Sequence, residues 1–461
     1  MMTPMKRFLL CAGALLAGAV SSLRSATVIE IDPGRVLVPH FKGWGTSLCW
    51  WAHVAGHFPP KVQEEICDLV FDPQKGLGLN IVRYNIGGGE NPRHPGFMEF
   101  RARIPGYQPQ PGVWDWEADA GQMRILLLAR QRGVTHLEAF ANSPPYWMTR
   151  SGSVTGNHHG RPNLPDTHID TFASYLVDVV AGLERRFDLR FDTLTPLNEP
   201  ISRWWTFGNR QEGCHIEREQ QARLLERTAH FIRDKGLTAK VTGPEENAVK
   251  DTLRALDAYP AETRGMLAHI ATHTYHSKGR TELRQSAAST GKPVWVSEYG
   301  DGDASGLKMA RTILADLHDL RAEAWVYWQA VDSAGGWGFL RNPLRDFTTT
   351  DYVINPKFHV MAHFSRFIRQ GMSLLDLQSP DALGGYDAAS GRFVIVVLND
   401  RPEAVQTVLN MDAIQGRPKR LHAFLTHGNT TLQPLKTAAM APSPEPIILP
   451  ARSIATFVLE P

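Results

Sequence analysis

From Gly43 to Ala330 the chain repeats one pattern eight times: a short apolar, β-branched or aromatic run, then a longer amphipathic stretch. The runs are Gly43–Trp50, Asn80–Gly87, Thr135–Asn142, Phe191–Asn198, Ala239–Gly243, His269–Tyr275, Val294–Tyr299 and Trp325–Ala330. Runs of this length read as buried strands. The stretches between them predict helices, among them Pro60–Val70, Ala120–Arg132, Ile169–Arg186, Glu217–Lys235 and Leu307–Leu320. Strands that alternate with helices build parallel β/α units, and eight of them fit a closed (β/α)8 TIM barrel. That fold dictates where chemistry occurs, because barrel active sites lie at the C-terminal ends of the strands.

The flanks read differently. Asn355-Pro356 opens a helical stretch, Lys357 to Arg369. From Ser373 onward short strands take over: Leu374–Leu377, Phe393–Leu398, Val405–Leu409, Leu421–Leu425, Ile447–Leu449 and Ile454–Val458. Regular short strands with turns between them predict an all-β sandwich. At the other end Thr27 to Val38 reads as a further strand that joins this sandwich. Before it, Lys6 and Arg7 precede an apolar run, Phe8 to Val20, followed by small residues, which is the pattern of an export signal. The run is too short for a comfortable membrane span. The expected plan is a signal peptide over 1–25, an N-terminal sandwich strand over 26–38, a catalytic barrel over 39–370 and a β-sandwich side domain over 371–461.

A net charge of +2 in 461 residues gives no reason to expect nucleic acid or a membrane surface as partner. The expectation is an exported monomer, periplasmic or extracellular. Cleavage between Ser22 and Ala26 leaves Cys49, Cys67 and Cys214, an odd set that allows at most one disulfide. The 12 tryptophans are the unusual count. Indoles offer flat apolar faces with a polar edge, which suits sugar rings.

Two of the eight runs end in glutamate: Thr195-Pro196-Leu197-Asn198-Glu199-Pro200 closes the fourth and Val296-Ser297-Glu298-Tyr299-Gly300 the seventh. In a closed barrel these carboxylates project into one mouth from opposite walls. Paired carboxyls suit glycoside hydrolysis, in which one protonates the leaving oxygen and the other attacks the sugar carbon. Glu199 is the candidate acid/base and Glu298 the candidate nucleophile. Glu298 is expected to be held ionised by Arg83, at the end of the second run, and to accept a hydrogen bond from Tyr275, at the end of the sixth beside His273. Glu199 is expected to be raised in pKa by burial and by the Glu298 charge. Asn198 is placed to bond the sugar hydroxyl next to the reacting carbon.

Trp147, Trp204, Trp205, Trp328 and Trp337 fall near strand ends or their loops, with Trp328 the best candidate floor for the reacting sugar. Trp50 and Trp51 are candidate platforms after the first run. The long insertions Glu90 to Glu117 and Pro144 to Asp166 are expected to shape substrate binding. Gly87-Gly88-Gly89 opens no helix with a dinucleotide fingerprint and is expected to let backbone approach the sugar. His158, His159, Asp166 and His168 have irregular spacing for a metal site. Neither a metal nor a cofactor is expected.

These residues resemble glycoside hydrolase family 30. The matching stretches are Gly43 to Ala52, Arg83 to Gly89, Ala141-Asn142-Ser143-Pro144-Pro145-Tyr146-Trp147-Met148, Thr195 to Pro200, Val296 to Gly300 and His363 to Arg369. The resemblance implies a retaining barrel with acid/base on the fourth strand and nucleophile on the seventh. It also implies a side domain that packs on the barrel and takes a strand from the N-terminus. The substrate-binding set is then Trp51, Arg83, Asn142, Trp147, Asn198, Trp204, His273, Tyr275 and Trp328. The doubled tryptophan Trp50-Trp51 looks most like the endo-β-1,6-galactanase subfamily, whose substrates are galactan side chains of arabinogalactan. Alternatives are another β-glycanase or β-glycosidase of the same fold, such as a β-1,6-glucanase or xylanase, and a non-catalytic glycan-binding barrel.

Overall fold

The computed structural model describes residues 26–416, 418–435, 438–439 and 446–461; the expected signal peptide, 1–25, lies outside them. Two short strands come first, β1 (Thr27–Glu30) and β2 (Val36–Val38). The barrel follows as β3 (Gly43–Ser47), β4 (Ile81–Asn85), β5 (His136–Phe140), β6 (Thr193–Thr195), β7 (Lys240–Val241), β8 (Gly243–Ala248), β9 (Ile270–His276), β10 (Val294–Tyr299) and β11 (Ala324–Gln329). The sheet order is β7-β6-β5-β4-β3-β11-β10-β9-β8, and the neighbours are parallel. β7 and β8 flank Thr242 and are two pieces of one barrel strand: β7 pairs with β6, β8 with β9, and the ring closes.

The fifth strand therefore corrects the sequence reading, which stopped it at Gly243. It runs on through Pro244-Glu245-Glu246-Asn247-Ala248. A proline followed by three polar residues carries turn chemistry, and a strand interior normally excludes proline. Pro244 is tolerated because the strand breaks at this point and changes partner.

The helices follow the expected amphipathic stretches: Pro60–Phe71, Ala120–Gln131, Ile169–Phe187, Arg218–Asp234 and Leu307–Ala315. Helix Ile169–Phe187 buries Phe172, Leu176, Val179, Val180 and Leu183, a three-and-four spacing that faces the sheet. Gly43 begins β3 at a φ of 120°, and a β-carbon there would lie 1.9 Å from Asn80 Oδ1. Only glycine leaves room for Asn80 Oδ1 to accept from the Trp44 backbone N–H at 3.0 Å.

Beyond the barrel a small sheet forms from β12 (Val331–Asp332), β13 (Leu340–Arg341) and β14 (Val353–Ile354), and helix Pro356–Ser365 leads to the side domain. The side domain holds β15 (Ser373–Leu375), β16 (Ala382–Asp387), β17 (Arg392–Asn399), β18 (Val405–Asn410), β19 (Arg420–His427), β20 (Thr430–Pro434), β21 (Ala438–Ala439), β22 (Ile447–Leu449) and β23 (Ser453–Glu460). One sheet runs β2-β15-β16-β17-β23-β19-β20, with β21 beside β19, and the second is β1-β18-β22. The N-terminal segment thus serves both: β1 lies parallel to β18, and β2 antiparallel to β15. Ile29, Ile31, Leu377, Ile395, Leu409 and Phe457 meet between the sheets. β16 escaped the sequence reading because Gly384-Gly385 looks like a turn. A β-carbon at Gly384 would lie 2.8 Å from Leu375 Cβ, so the glycine marks close packing.

Among the described residues no helix is long and apolar enough to cross a membrane, and Cys49, Cys67 and Cys214 are buried free thiols. Ile29 is fully buried between the two side-domain sheets. Ile29→Ala is expected to lower unfolding free energy by about 2–5 kcal/mol in urea titrations. A loss near zero would show that the N-terminal strand is not integral to the sandwich.

Candidate functional site

The chemistry begins inside the barrel at Arg83 on β4, which is 1% exposed. Its Nε donates to Glu138 at 2.9 Å, its Nη1 to Glu298 at 2.9 Å and its Nη2 to Glu245 at 3.2 Å. These carboxylates come from β5, β10 and β8. Burial works against the guanidinium cation, but the charges of Glu245, Glu138 and Glu298 outweigh it, and the Arg83 pKa is raised further. Burial likewise opposes the Glu245 anion, yet Arg83, His273 and the Ser297 hydroxyl (2.6 Å) bring its pKa down to about 2.

His273 on β9 is the second cation of the network. One ring nitrogen lies 3.1 Å from Glu199 and the other 3.1 Å from Glu245, with Glu298 at 3.6 Å. Burial lowers its pKa, but the charge of Glu298 and the bonds to Glu199 and Glu245 raise it to about 10. At neutral pH it is an imidazolium that donates to both carboxylates.

Glu199 stands just past β6 with a φ of 49°, a left-handed conformation that costs a side chain on the order of 1 kcal/mol. Backbone contacts hold it there: its N–H donates to the Glu245 carbonyl at 2.7 Å, and its carbonyl accepts from Trp205 Nε1 at 3.0 Å. Its Oε1 accepts from Asn247 at 2.6 Å and from His273. Among the described residues Oε2 has no hydrogen-bond donor and is available for chemistry. Opposite it, Glu298 Oε1 accepts from the Tyr275 hydroxyl at 3.0 Å. Burial raises the Glu298 pKa; the positive charges of His273 and Arg83 pull against it without cancelling it. The expectation that Arg83 and Tyr275 hold Glu298 describes the contacts but underrates what full burial costs the anion.

Side-chain atoms of Glu199, His273 and Glu298 all lie within 4.8 Å of one another. Among the described residues this is the one cluster of three such groups tight enough to share a cation. The guanidinium and the imidazolium already supply positive charge there. His158, His159, Asp166 and His168 do not converge in this way: Asp166 binds Arg223 at 3.1 Å, and His158 stacks on Phe207.

Glu199 and Glu298 line a cavity of about 270 Å³ at the C-terminal ends of the strands. Asn142, Asn198, Trp204, Tyr275 and Trp328 of the expected binding set line it too. Asn198 Oδ1 and Trp50 Nε1 are buried without a protein partner and border this space, so both are available to ligand hydroxyls. Trp204 is 48% exposed at the rim. Arg83 and His273 do not line it; they stand behind the wall, bonded to the carboxylates.

Two expected binding residues lie elsewhere. Trp51 is fully buried, its ring stacked on Phe71 and its Nε1 bonded to Ser47 O at 2.8 Å. The neighbouring Trp50 reaches the cavity instead, edge-on to Trp328 at 5.3 Å. Adjacent indoles look alike in sequence, and helix Trp51–Ala55, which begins between them, turns the second into the core. Trp147 packs against the main core and bonds Gln108 O at 2.9 Å, away from the cavity.

Neither long insertion lines the cavity directly, but Met98, Ala102 and Ile104 of the first and Val154 and Tyr146 of the second cluster with Trp50 and Trp328, which do. Arg101 of the first lies 4.9 Å over the Trp50 ring and bonds Asp332 at 2.9 Å, bracing that wall from outside. The glycines Gly87 and Gly88 make room for the insertions: β-carbons there would lie 2.6 Å from Ile104 Cγ2 and 2.7 Å from Pro144 O. Sequence reasoning missed Glu245 and Asn247, hidden in the unrecognised half of the fifth strand, and Gln211, whose loop carries no periodic signal.

The O-glycosyl hydrolase family 30 profile matches residues 27–268. An endo-β-1,6-galactanase from Hypocrea rufa is 31% identical over 401 residues, covering 82% of this chain and 82% of the relative. A conserved exported protein from Bacteroides fragilis superposes with a TM-score of 0.81 at 23% identity, over 94% of this chain and 100% of that one. The catalytic domain of a glycoside hydrolase family 30 xylanase C from Talaromyces cellulolyticus gives 0.73 at 22% identity, over 94% and 100%. These two likenesses concern the fold.

Two further buried carboxyls support the mouth. Glu212 accepts from Gly88 N at 2.9 Å, and Glu246 from Ile201 N at 3.2 Å. Burial pushes both from 4.5 up to about 8. The folded protein therefore holds protons that the unfolded chain releases. Their contribution to stability is complete below the unfolded pKa and is lost as pH rises through about 8. Melting temperature is expected to fall between about pH 4.5 and pH 8, and Glu246→Gln to flatten that fall. An unchanged slope in the variant would contradict the assignment.

Proposed function

The chain belongs to O-glycosyl hydrolase family 30, and from that membership we propose that it cleaves β-1,6-galactosidic linkages in galactan side chains of arabinogalactan with retention of configuration. As a glycoside hydrolase of this family it takes a carbohydrate substrate. The galactan reading is supported by the relative at 31% identity, an endo-β-1,6-galactanase. Export is supported by the leader pattern over residues 6–22.

The observation that carries the mechanism is the approach of the two carboxylates, with an oxygen of each within 4.8 Å of the other. Retaining glycosidases set their carboxyl groups about 5–5.5 Å apart, whereas inverting ones need roughly 6.5–9.5 Å to admit a water. In the first step a Glu298 oxygen attacks the anomeric carbon as the glycosidic bond breaks, and Glu199 gives its proton to the departing oxygen. In the second, water transfers a proton to Glu199 while its oxygen displaces Glu298 from that carbon. Tyr275 and Arg83 steady the Glu298 anion. Asn247 and His273 fix Oε1 of Glu199, which leaves Oε2 to carry the proton.

Glu298→Ala and Glu199→Ala are each expected to lower kcat roughly 10³-fold or more on β-1,6-galactan, with folding unchanged by circular dichroism. Near-wild-type rates in either variant would reject the roles. Proton NMR of the first-formed product is expected to show the β-anomer; an α-anomer means inversion. Parallel assays on β-1,6-glucan and glucuronoxylan test the sugar assignment, and faster turnover of either would overturn it.

The pH profile gives a separate check. Glu298 must be ionised to attack, and its pKa is raised, so kcat/KM is lost as pH falls through that raised value. The Tyr275 hydroxyl lowers the Glu298 pKa. Tyr275→Phe is therefore expected to move the acid limb to higher pH; a limb that stays in place would show that another group sets it.

A further inference from the structure

Two loops meet beside the reaction pocket. One follows β10 as Gly300-Asp301-Gly302, and the other leads from β12 to β13 through Gly335-Gly336-Trp337. They touch backbone to backbone: a β-carbon on Gly336, at a φ of 86°, would lie 2.3 Å from Gly302 O. The Trp337 indole lies on the first loop, 3.0 Å from a β-carbon built at Gly300 and 3.2 Å from one at Gly302. Gly300 is the second residue after Glu298, so the indole sits on the chain that carries the attacking group. Trp337 also belongs to two walls. It lines the cavity of about 270 Å³ that holds the carboxylates and an adjoining one of about 540 Å³. A sugar chain that continues from the first space into the second passes this ring.

The junction is fastened from behind by Lys357, whose side chain is fully buried at the start of helix Pro356–Ser365. Its ammonium donates to Asp301 O at 2.7 Å, Asp301 Oδ1 at 2.9 Å, Gly336 O at 2.7 Å and the Tyr327 hydroxyl at 2.8 Å. That hydroxyl in turn donates to Trp337 O. One cation thus binds both loops and, through Tyr327, the backbone of Trp337 itself. Burying an ammonium is costly and seldom justified by stability alone, since an apolar side chain of similar volume often serves as well. Fixed geometry is what the charge supplies here, because carbonyl oxygens from two loops are oriented on one point.

We propose that Lys357 is a positioning residue for substrate recognition: it holds the Trp337 indole against the sugar unit bound next to the reacting one. It touches no substrate. The proposal rests on the reading of this pocket as the glycosidase site.

The test is a double-mutant cycle with Lys357→Met, Trp337→Ala and both together, assayed on β-1,6-galacto-oligosaccharides. Each single change is expected to raise KM roughly tenfold with kcat within about twofold, and the double variant to match Trp337→Ala within about twofold. A double variant whose KM rises by the product of the two single effects overturns the proposal. So does a fall in kcat at constant KM, which marks a disturbance of the Glu298 strand instead. If Lys357→Met does not fold, Tyr327→Phe replaces it in the same cycle, since it keeps the ammonium but cuts the tie to Trp337. Should the wild type leave galactan intact, the galactan reading fails, and the cycle is run on the glycan it does hydrolyse.

Discussion

Arg83 joins carboxylates from three strands, and the position of Glu298 follows from that contact. A guanidinium presents its N–H groups in one rigid plane, so Glu138, Glu245 and Glu298 must approach from fixed directions. His273 extends the arrangement to Glu199 through Glu245. Four acids and two cations thereby form one connected set inside the ring. Separate burial of any of these acids would favour its neutral form; burial together keeps Glu245 ionised, while the Glu298 pKa stays raised because burial outweighs His273 and Arg83. Removal of a single member leaves a buried charge without its partner, which costs far more than the pair contributes.

The barrel makes this possible because it is closed. β6 and β10 are not neighbours in the sheet, yet both deliver a glutamate to the same mouth. The break between β7 and β8 matters for the same reason. It carries Glu245, at a φ of 61°, inward to Arg83 and brings Asn247 up to Glu199. Backbone strain at Glu199 and Glu245 sits where the two residues bond each other, so the surrounding structure holds the cost in place.

Much of this was legible in the sequence. The eight apolar runs located the barrel, and glutamates at the ends of the fourth and seventh marked the two walls. Arg83 and Tyr275 could be placed beside Glu298 because strand ends in a barrel converge. What escaped had physical causes. Pro244 disguised half a strand, and with it Glu245 and Asn247. Trp50 and Trp51 are indistinguishable until the start of a helix sends one inward. Gly384-Gly385 mimicked a turn while packing tightly on Leu375. The insertions looked like binding loops because they are aromatic; they reach the site from behind, as Arg101 of the first does in bracing the Trp50 wall from outside. Burial, which sets the pKa of Glu298, depends on the whole assembly and is invisible in any local stretch.

A retaining mechanism requires that Glu298 form a covalent bond to the sugar. A 2-deoxy-2-fluoro-β-galactosyl fluoride slows the second step and lets the glycosyl-enzyme accumulate, which peptic digestion and mass spectrometry can then locate. One fluorosugar per protein is expected, carried on the peptide that contains Val296-Ser297-Glu298-Tyr299. Label on Glu199, or inactivation without any covalent adduct, would contradict it.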